Sequence, residues 1–202
     1  MFKMFCKNKT PANRDSAKIP YFITSFSLKN ISLILNQQPE ESMLYMAGIK
    51  VEENRIIELP IQPKFSVQTV FSVKPDERSA LEALLFIDKC GMALYATMHL
   101  HPGEGILATR PSPEDIRNQL AWEFGGYKNL MGIFSRDGFI RFLRFTSDFV
   151  INVIGKEVTD VKDGCCNSRI FRLLETEKIQ GECDQERRLG FCYGSTRENQ
   201  RI

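Results

Sequence analysis

Histidine is nearly missing from this chain: two residues in 202, beside a single tryptophan. No apolar run approaches the roughly 20 residues needed to cross a bilayer, which excludes a helical membrane span. The longest runs, 83–87 and 149–151, are core-sized. Charge of one sign is also lacking. Lys+Arg 27 against Asp+Glu 25 leaves a net charge of +2, so no global basic field draws nucleic acid. The six cysteines form no CxxC pair and fit free thiols in a reducing compartment. The basic start, residues 1–9, has no apolar stretch of signal-peptide length, and the expected location is the cytoplasm. No internal repeat is present.

What remains is the balance of a globular protein, 43 % hydrophobic and 26 % charged, with length for one sizeable core. Residues 1–18 carry five basic residues, Pro11 and no apolar period, and read as a flexible arm. Residues 19–154 hold the periodic elements. Ser27 is placed to cap a helix running to Gln37, before Pro39. Stretches 43–47, 55–60 and 64–73 read as strands. The clearest helix starts at Asp76 and stops at Gly91, with Cys90 assigned to the core. Ala93–His101 reads as a buried strand, 102–111 as a loop, and Ser112 to about Phe124 as a helix broken by Gly125-Gly126. A hairpin through Arg136-Asp-Gly138 follows. This order predicts an α/β fold with a mixed sheet between helices. Residues 155–202 read as a charged, cysteine-containing extension in which Phe171, Leu173 and Leu174 suit a short helix.

The two histidines are His99 and His101. On a strand, positions i and i+2 share a face, so both rings emerge together just before Pro102 ends the pairing. That spacing suits two nitrogens on one zinc ion. A hydrolytic zinc needs a third protein ligand and an open position. Asp115 is the best candidate, three residues after Ser112 at the start of a helix the loop can fold back onto the strand end. Ser112-Pro-Glu-Asp115 is also a good helix start in its own right, with a Ser cap, Pro first and acids facing the dipole. Asp115 therefore has two readings, cap and ligand. Cys165, Cys166, Cys183 and Cys192 are the other metal candidates, with a spacing unusual for a zinc site.

His99-Leu-His101-Pro102 followed by Ser112-Pro-Glu-Asp115 resembles the JAB/MPN (JAMM) zinc metallopeptidases, whose signature is an upstream Glu, then His-x-His-Pro, then Ser and Asp. Glu41, seven residues before Gly48, matches the upstream element, with Glu40 as the alternative. The resemblance spans about residues 27–146. Two features depart from the family pattern: the 102–111 loop is longer than usual, and Leu44 stands where a glycine is common.

The resemblance implies a cytidine-deaminase-like sheet and a zinc held by His99, His101 and Asp115. It implies Glu41 as the proton shuttle, Ser112 as a donor to the developing oxyanion, and hydrolysis after the C-terminus of ubiquitin or a ubiquitin-like protein. Tyr95, Met98 and Trp122 are candidate walls of the site, with core packing as their other role; Glu104 and Arg110 lie in the loop where selectivity would sit. The implied partners are a ubiquitin-like protein or its conjugate, with activating- and conjugating-enzyme homologues, as in a bacterial defence operon; no nucleic acid and no membrane are implied. The competing expectations are a non-catalytic interaction scaffold and a zinc hydrolase of a small sulfur-carrier or amino-acid conjugate.

Overall fold

Residue alternation along two adjacent strands sets the layers of this protein, seen in a computed structural model that describes residues 18–161 and 168–174. In chain order the elements begin with β1 (Ile19–Thr24), α1 (Ser25–Leu35), β2 (Met43–Val51) and β3 (Asn54–Ile61). A small hairpin follows, β4 (Phe65–Gln68) with β5 (Val73–Pro75), then α2 (Glu77–Lys89) and β6 (Ala93–His101). Next come the one-turn α3 (Gly105–Ala108), α4 (Pro113–Phe124), β7 (Leu130–Ser135) and β8 (Phe139–Leu143). Last are β9 (Phe149–Ile154), β10 (Val158–Val161) and β11 (Ser168–Leu173). The main sheet has nine strands in the order β10-β11-β8-β7-β6-β2-β3-β1-β9. It is mixed: β6 runs parallel to β7, and β1 runs parallel to both β3 and β9. No helix among the described residues is long and apolar enough to cross a membrane.

Leu44 and Met46 of β2, with Ala96, Met98 and Leu100 of β6, point to one face. There they meet Leu28, Ile31 and Leu35 of α1. Tyr45 and Ala47 point to the other face and pack against Ala83 and Ile87 of α2, with Trp122 of α4 at the margin. The α/β expectation of a mixed sheet flanked by helices is thus met. Gly48 is where β2 and β3 shift register, and an added Cβ there would lie 1.9 Å from the Ile56 carbonyl oxygen.

Several boundaries differ from the sequence reading. The first helix is capped by Thr24, whose hydroxyl accepts from the Ser27 N–H; Ser27 lies inside the helix. Stretch 64–73 is broken by a turn at 69–72 and contributes to a hairpin, because Thr69 accepts from Ser72 and closes it. Loop 102–111 contains a helical turn, α3. Phe171 and Leu173 lie on a strand paired to β8 and β10, so the sheet runs on beyond residue 154. Cys90 is the exposed cap of α2, where Gly91 at φ 67° turns the chain toward β6. Residues 1–17 of the expected arm (1–18), and Cys165, Cys166, Cys183 and Cys192, lie outside the described residues.

The far end of α4 is anchored by a buried polar network. Glu123 accepts from the Phe145 N–H (3.0 Å), the Thr146 N–H (2.7 Å) and the Gln119 side chain (2.8 Å). The buried Arg144 guanidinium lies 3.5 Å from it and donates to the Asn129 carbonyl (2.9 Å) and the Tyr21 hydroxyl (3.2 Å). Burial works against the Glu123 anion, but these hydrogen bonds outweigh it and hold the carboxyl below its ordinary range. Its stabilising contribution is therefore present above the ordinary carboxylate value and is lost as pH falls through the depressed native one. Truncation strands a buried cation. Glu123→Ala should lower stability by about 3–5 kcal/mol, read as a shift of the urea unfolding midpoint at neutral pH.

Candidate metal centre

The antiparallel pairing of β2 with β6 aligns Met43 with His99 and Tyr45 with Thr97. The Leu100 N–H donates to the Ser42 carbonyl at 3.0 Å, which carries the same register one step further. Glu41 is consequently level with His101 at the strand end. With side chains alternating every second residue, Glu41, Met43, Tyr45, Thr97, His99 and His101 fall on the face away from α1. All six line one cleft of about 680 Å³.

Helix α4 supplies the opposite wall. Its start is a capping box: the Ser112 hydroxyl accepts from the Asp115 N–H at 3.1 Å, and the Asp115 carboxylate accepts from the Ser112 N–H at 2.7 Å. Asp115 is a cap residue, and that role leaves its carboxylate free to serve a metal as well. The cap fixes the carboxylate, and the carboxylate faces the histidines. Asp115, Asn118, Gln119 and Trp122 recur at helical spacing and all line the cleft.

The distances suit a single ion. The two Nε2 atoms are 3.1 Å apart. His99 Nε2 lies 3.3 Å from Asp115 Oδ1, and His101 Nε2 lies 3.4 Å from Oδ2. Ligands about 2.0–2.1 Å from a tetrahedral ion sit about 3.3–3.4 Å from one another; each imidazole lies about that far from one of the two Asp115 oxygens, and one donor atom from each residue falls within 4.8 Å of the others. The three side chains are 11 %, 17 % and 16 % exposed, so the centre is sheltered yet reachable. His99, His101 and Asp115 can therefore hold a metal ion.

The His101 tautomer is set from behind. Its Nδ1 lies 2.7 Å from the Ala108 carbonyl oxygen, an acceptor only, so Nδ1 carries a hydrogen and in the neutral ring Nε2 presents its lone pair. Burial alone would lower the basicity of His101, but the bonds to Asp115 and the Ala108 carbonyl raise it. Burial would likewise raise Asp115, and its bonds to His101 and His99 drive it far below the ordinary carboxylate range. Glu41 goes the other way. Burial raises it, against the opposing pull of the two imidazoles, with Asp115 and Glu114 adding to the rise.

The cleft thus gathers Glu41, His99, His101, Ser112 and Asp115, and the loop residues Glu104 and Arg110 do not line it. Glu41 lines it and Glu40 does not. Of the three candidate walls, Trp122 lines the cleft, while Tyr95 and Met98 belong to the core on the α1 side. Sequence reasoning missed the Ala108 carbonyl and the β4–β5 hairpin, which walls the cleft with Val70 to Pro75. The hairpin also holds Glu41 by its backbone: the Glu41 N–H donates to the Thr69 carbonyl at 2.9 Å, and Gln68 Nε2 donates to the Glu41 carbonyl at 3.2 Å. Backbone acceptors leave no mark in a pattern of residue types.

Metal-stripped protein titrated with zinc should take up one ion per chain. At free zinc about 100 times Kd, stability should rise by about 2.7 kcal/mol, seen as a higher Tm. Asp115→Ala and His99→Ala should each abolish that gain. No family model matches the sequence, and no curated protein does. Among solved structures, protein DSY2949 from Desulfitobacterium hafniense is similar, at 19 % identity over 66 % of this chain and 93 % of that one, with a TM-score of 0.49.

Proposed function

We propose that this chain is a zinc-dependent isopeptidase or peptidase of the JAB/MPN (JAMM) type, cleaving after the C-terminus of a ubiquitin-like protein in the cytoplasm. The observation that carries this reading is the meeting of His99, His101 and Asp115 with Glu41 in one cleft, from segments far apart in the chain. Zinc, when bound, would supply Lewis acidity, bringing the pKa of a coordinated water near 7 and polarising the scissile carbonyl.

The chain's own residues would supply the rest. Glu41 is level with His101, and its raised basicity suits a group that takes a proton at neutral pH and returns it to the leaving amine. The Ser112 oxygen accepts from the Asp115 N–H and so keeps its own hydrogen, free to donate to the developing oxyanion. The cleft continues from the metal ligands past Trp122 and Ala80, between α4 and the hairpin, and offers an apolar course for an extended chain. The conjugate of a ubiquitin-like protein would be the substrate. In a bacterial setting, activating- and conjugating-enzyme homologues, as in a defence operon, would be the partners that make it.

The test is cleavage of linear and isopeptide-linked fusions of ubiquitin-like proteins by zinc-loaded protein. Glu41→Gln should retain zinc and lose about 10²–10⁴-fold in kcat. Glu40→Ala should cleave at the native rate. Full activity in Glu41→Gln would sink the assignment, and turnover of a small amide conjugate in place of every fusion would favour a small-molecule hydrolase.

Ser112→Ala should lower kcat by about 10²–10³-fold and cost about 1 kcal/mol of stability through the lost cap. Ser112→Thr should keep the cap, which a denaturation midpoint measured alongside the rates would show.

A further inference from the structure

We propose that the β7–β8 turn is a two-sided clip for the metal centre. In it Asp137 positions the loop that buttresses His101, and Arg136 positions the segment leading to Glu41. The inference rests on the metal reading above.

The first side begins where β6 ends. The chain beyond His101 must turn back sharply to bring a carbonyl onto His101 Nδ1. Two bonds to the turn direct it. The Gly103 carbonyl accepts from the Arg136 N–H at 3.0 Å, and the Gly105 N–H donates to Asp137 Oδ1 at 2.8 Å. Asp137 is itself aimed by the Ser135 hydroxyl, which donates to the same oxygen at 2.7 Å. Gly105 sits at φ +74°, a conformation that a side chain would strain. From there α3 makes one turn and delivers the Ala108 carbonyl to the ring. Thr109 then closes the turn, fully buried, with its hydroxyl donating to the Ile106 carbonyl at 2.8 Å and accepting from Arg141 Nε at 3.2 Å. The loop thus runs from a carboxylate at the β7–β8 turn to the back of a metal ligand.

The second side uses the neighbouring residue. The Arg136 guanidinium donates to the Gln38 carbonyl at 3.0 Å, to the Pro39 carbonyl, and to Asn36 Oδ1 at 3.4 Å. These acceptors lie between the end of α1 and Glu41. Beyond them the β4–β5 hairpin grips the Glu41 backbone from the other direction. The Arg136 side chain therefore bears on the general base and not on the imidazoles. Both are positioning residues, since neither side chain lines the cleft.

The two roles separate in measurement. Zinc affinity, read by competition with a chromophoric chelator, should fall about tenfold or more in Asp137→Ala. The visible spectrum of the cobalt-loaded protein should change with it. Asp137→Asn keeps an oxygen for the Gly105 N–H and should restore affinity to within about twofold of the native value. Arg136→Ala should keep native zinc affinity and the native cobalt spectrum, yet lose about tenfold or more in kcat with KM little changed. Native affinity in Asp137→Ala, or an equal loss of affinity in Arg136→Ala and Asp137→Ala, would overturn the clip. Failure of Asp137→Asn to restore affinity would do the same. Native protein that binds no zinc would overturn the metal reading as well. Zinc binding with no cleavage of any fusion would overturn the proposed peptidase and the kcat arm, while the affinity arm still decides the role of Asp137.

Discussion

The antiparallel register of β2 against β6 is the constraint on which the site depends. Met43 opposite His99 puts Glu41 beside His101 and turns all of them toward α4. A slip of one residue would exchange the faces. The imidazoles would then enter the packed layer under α1, and Leu100 and Met98 would face the cleft. Leu44, Met46, Ala96, Met98 and Leu100 are each at most 1 % exposed, so that slip would expose a full row of apolar side chains. At about 25 cal/mol per Å² of apolar surface, the core enforces the register far more strongly than any contact within the site. The imidazoles are located by the hydrophobic packing of Met98 and Leu100, the residues next to them in the chain.

Asp115 illustrates how one residue serves fold and chemistry together. A carboxylate at the third position of a helix is stabilised by the N-terminal dipole and by the Ser112 N–H. The same bonds stop it rotating, so its remaining lone pairs face His99 and His101. Holding an anion among partly buried groups is costly, and the rest of α4 bears on that cost. Glu123 and Gln119 lock its far end to the loop after β8 and to Asn129. The helix cannot tilt to hydrate its first turn without breaking buried hydrogen bonds.

Much was legible in advance because the signals were local. The pair His99 and His101 on an apolar strand, the Ser-Pro-Glu-Asp helix start and the Asp76–Gly91 helix all depend on residues within one turn or two strand steps. Other features escaped for a shared reason. The strand at 19–24 is short and begins at an apolar segment that also suits a helix, and its parallel pairing with β9 is decided more than a hundred residues away. Phe171 and Leu173 alternate as well in a strand as in a helix turn, until β8 and β10 claim them on either side.

By itself the sequence determined the residue types and their local spacing: which side chains can bind a metal, which can cap a helix, and which strand carries the imidazoles. Those follow from period-two and period-3.6 geometry over a few residues. Only the tertiary structure decided that Glu41, and not Glu40, faces the histidines, since strand parity is set by the partner strand. It also decided that a carbonyl in the long loop fixes the His101 tautomer, and that Arg136 and Asp137 bear on opposite sides of one centre. A backbone acceptor is the same group at every position of any sequence, and a long-range side-chain bond exists only once folding brings its partners within about 3 Å.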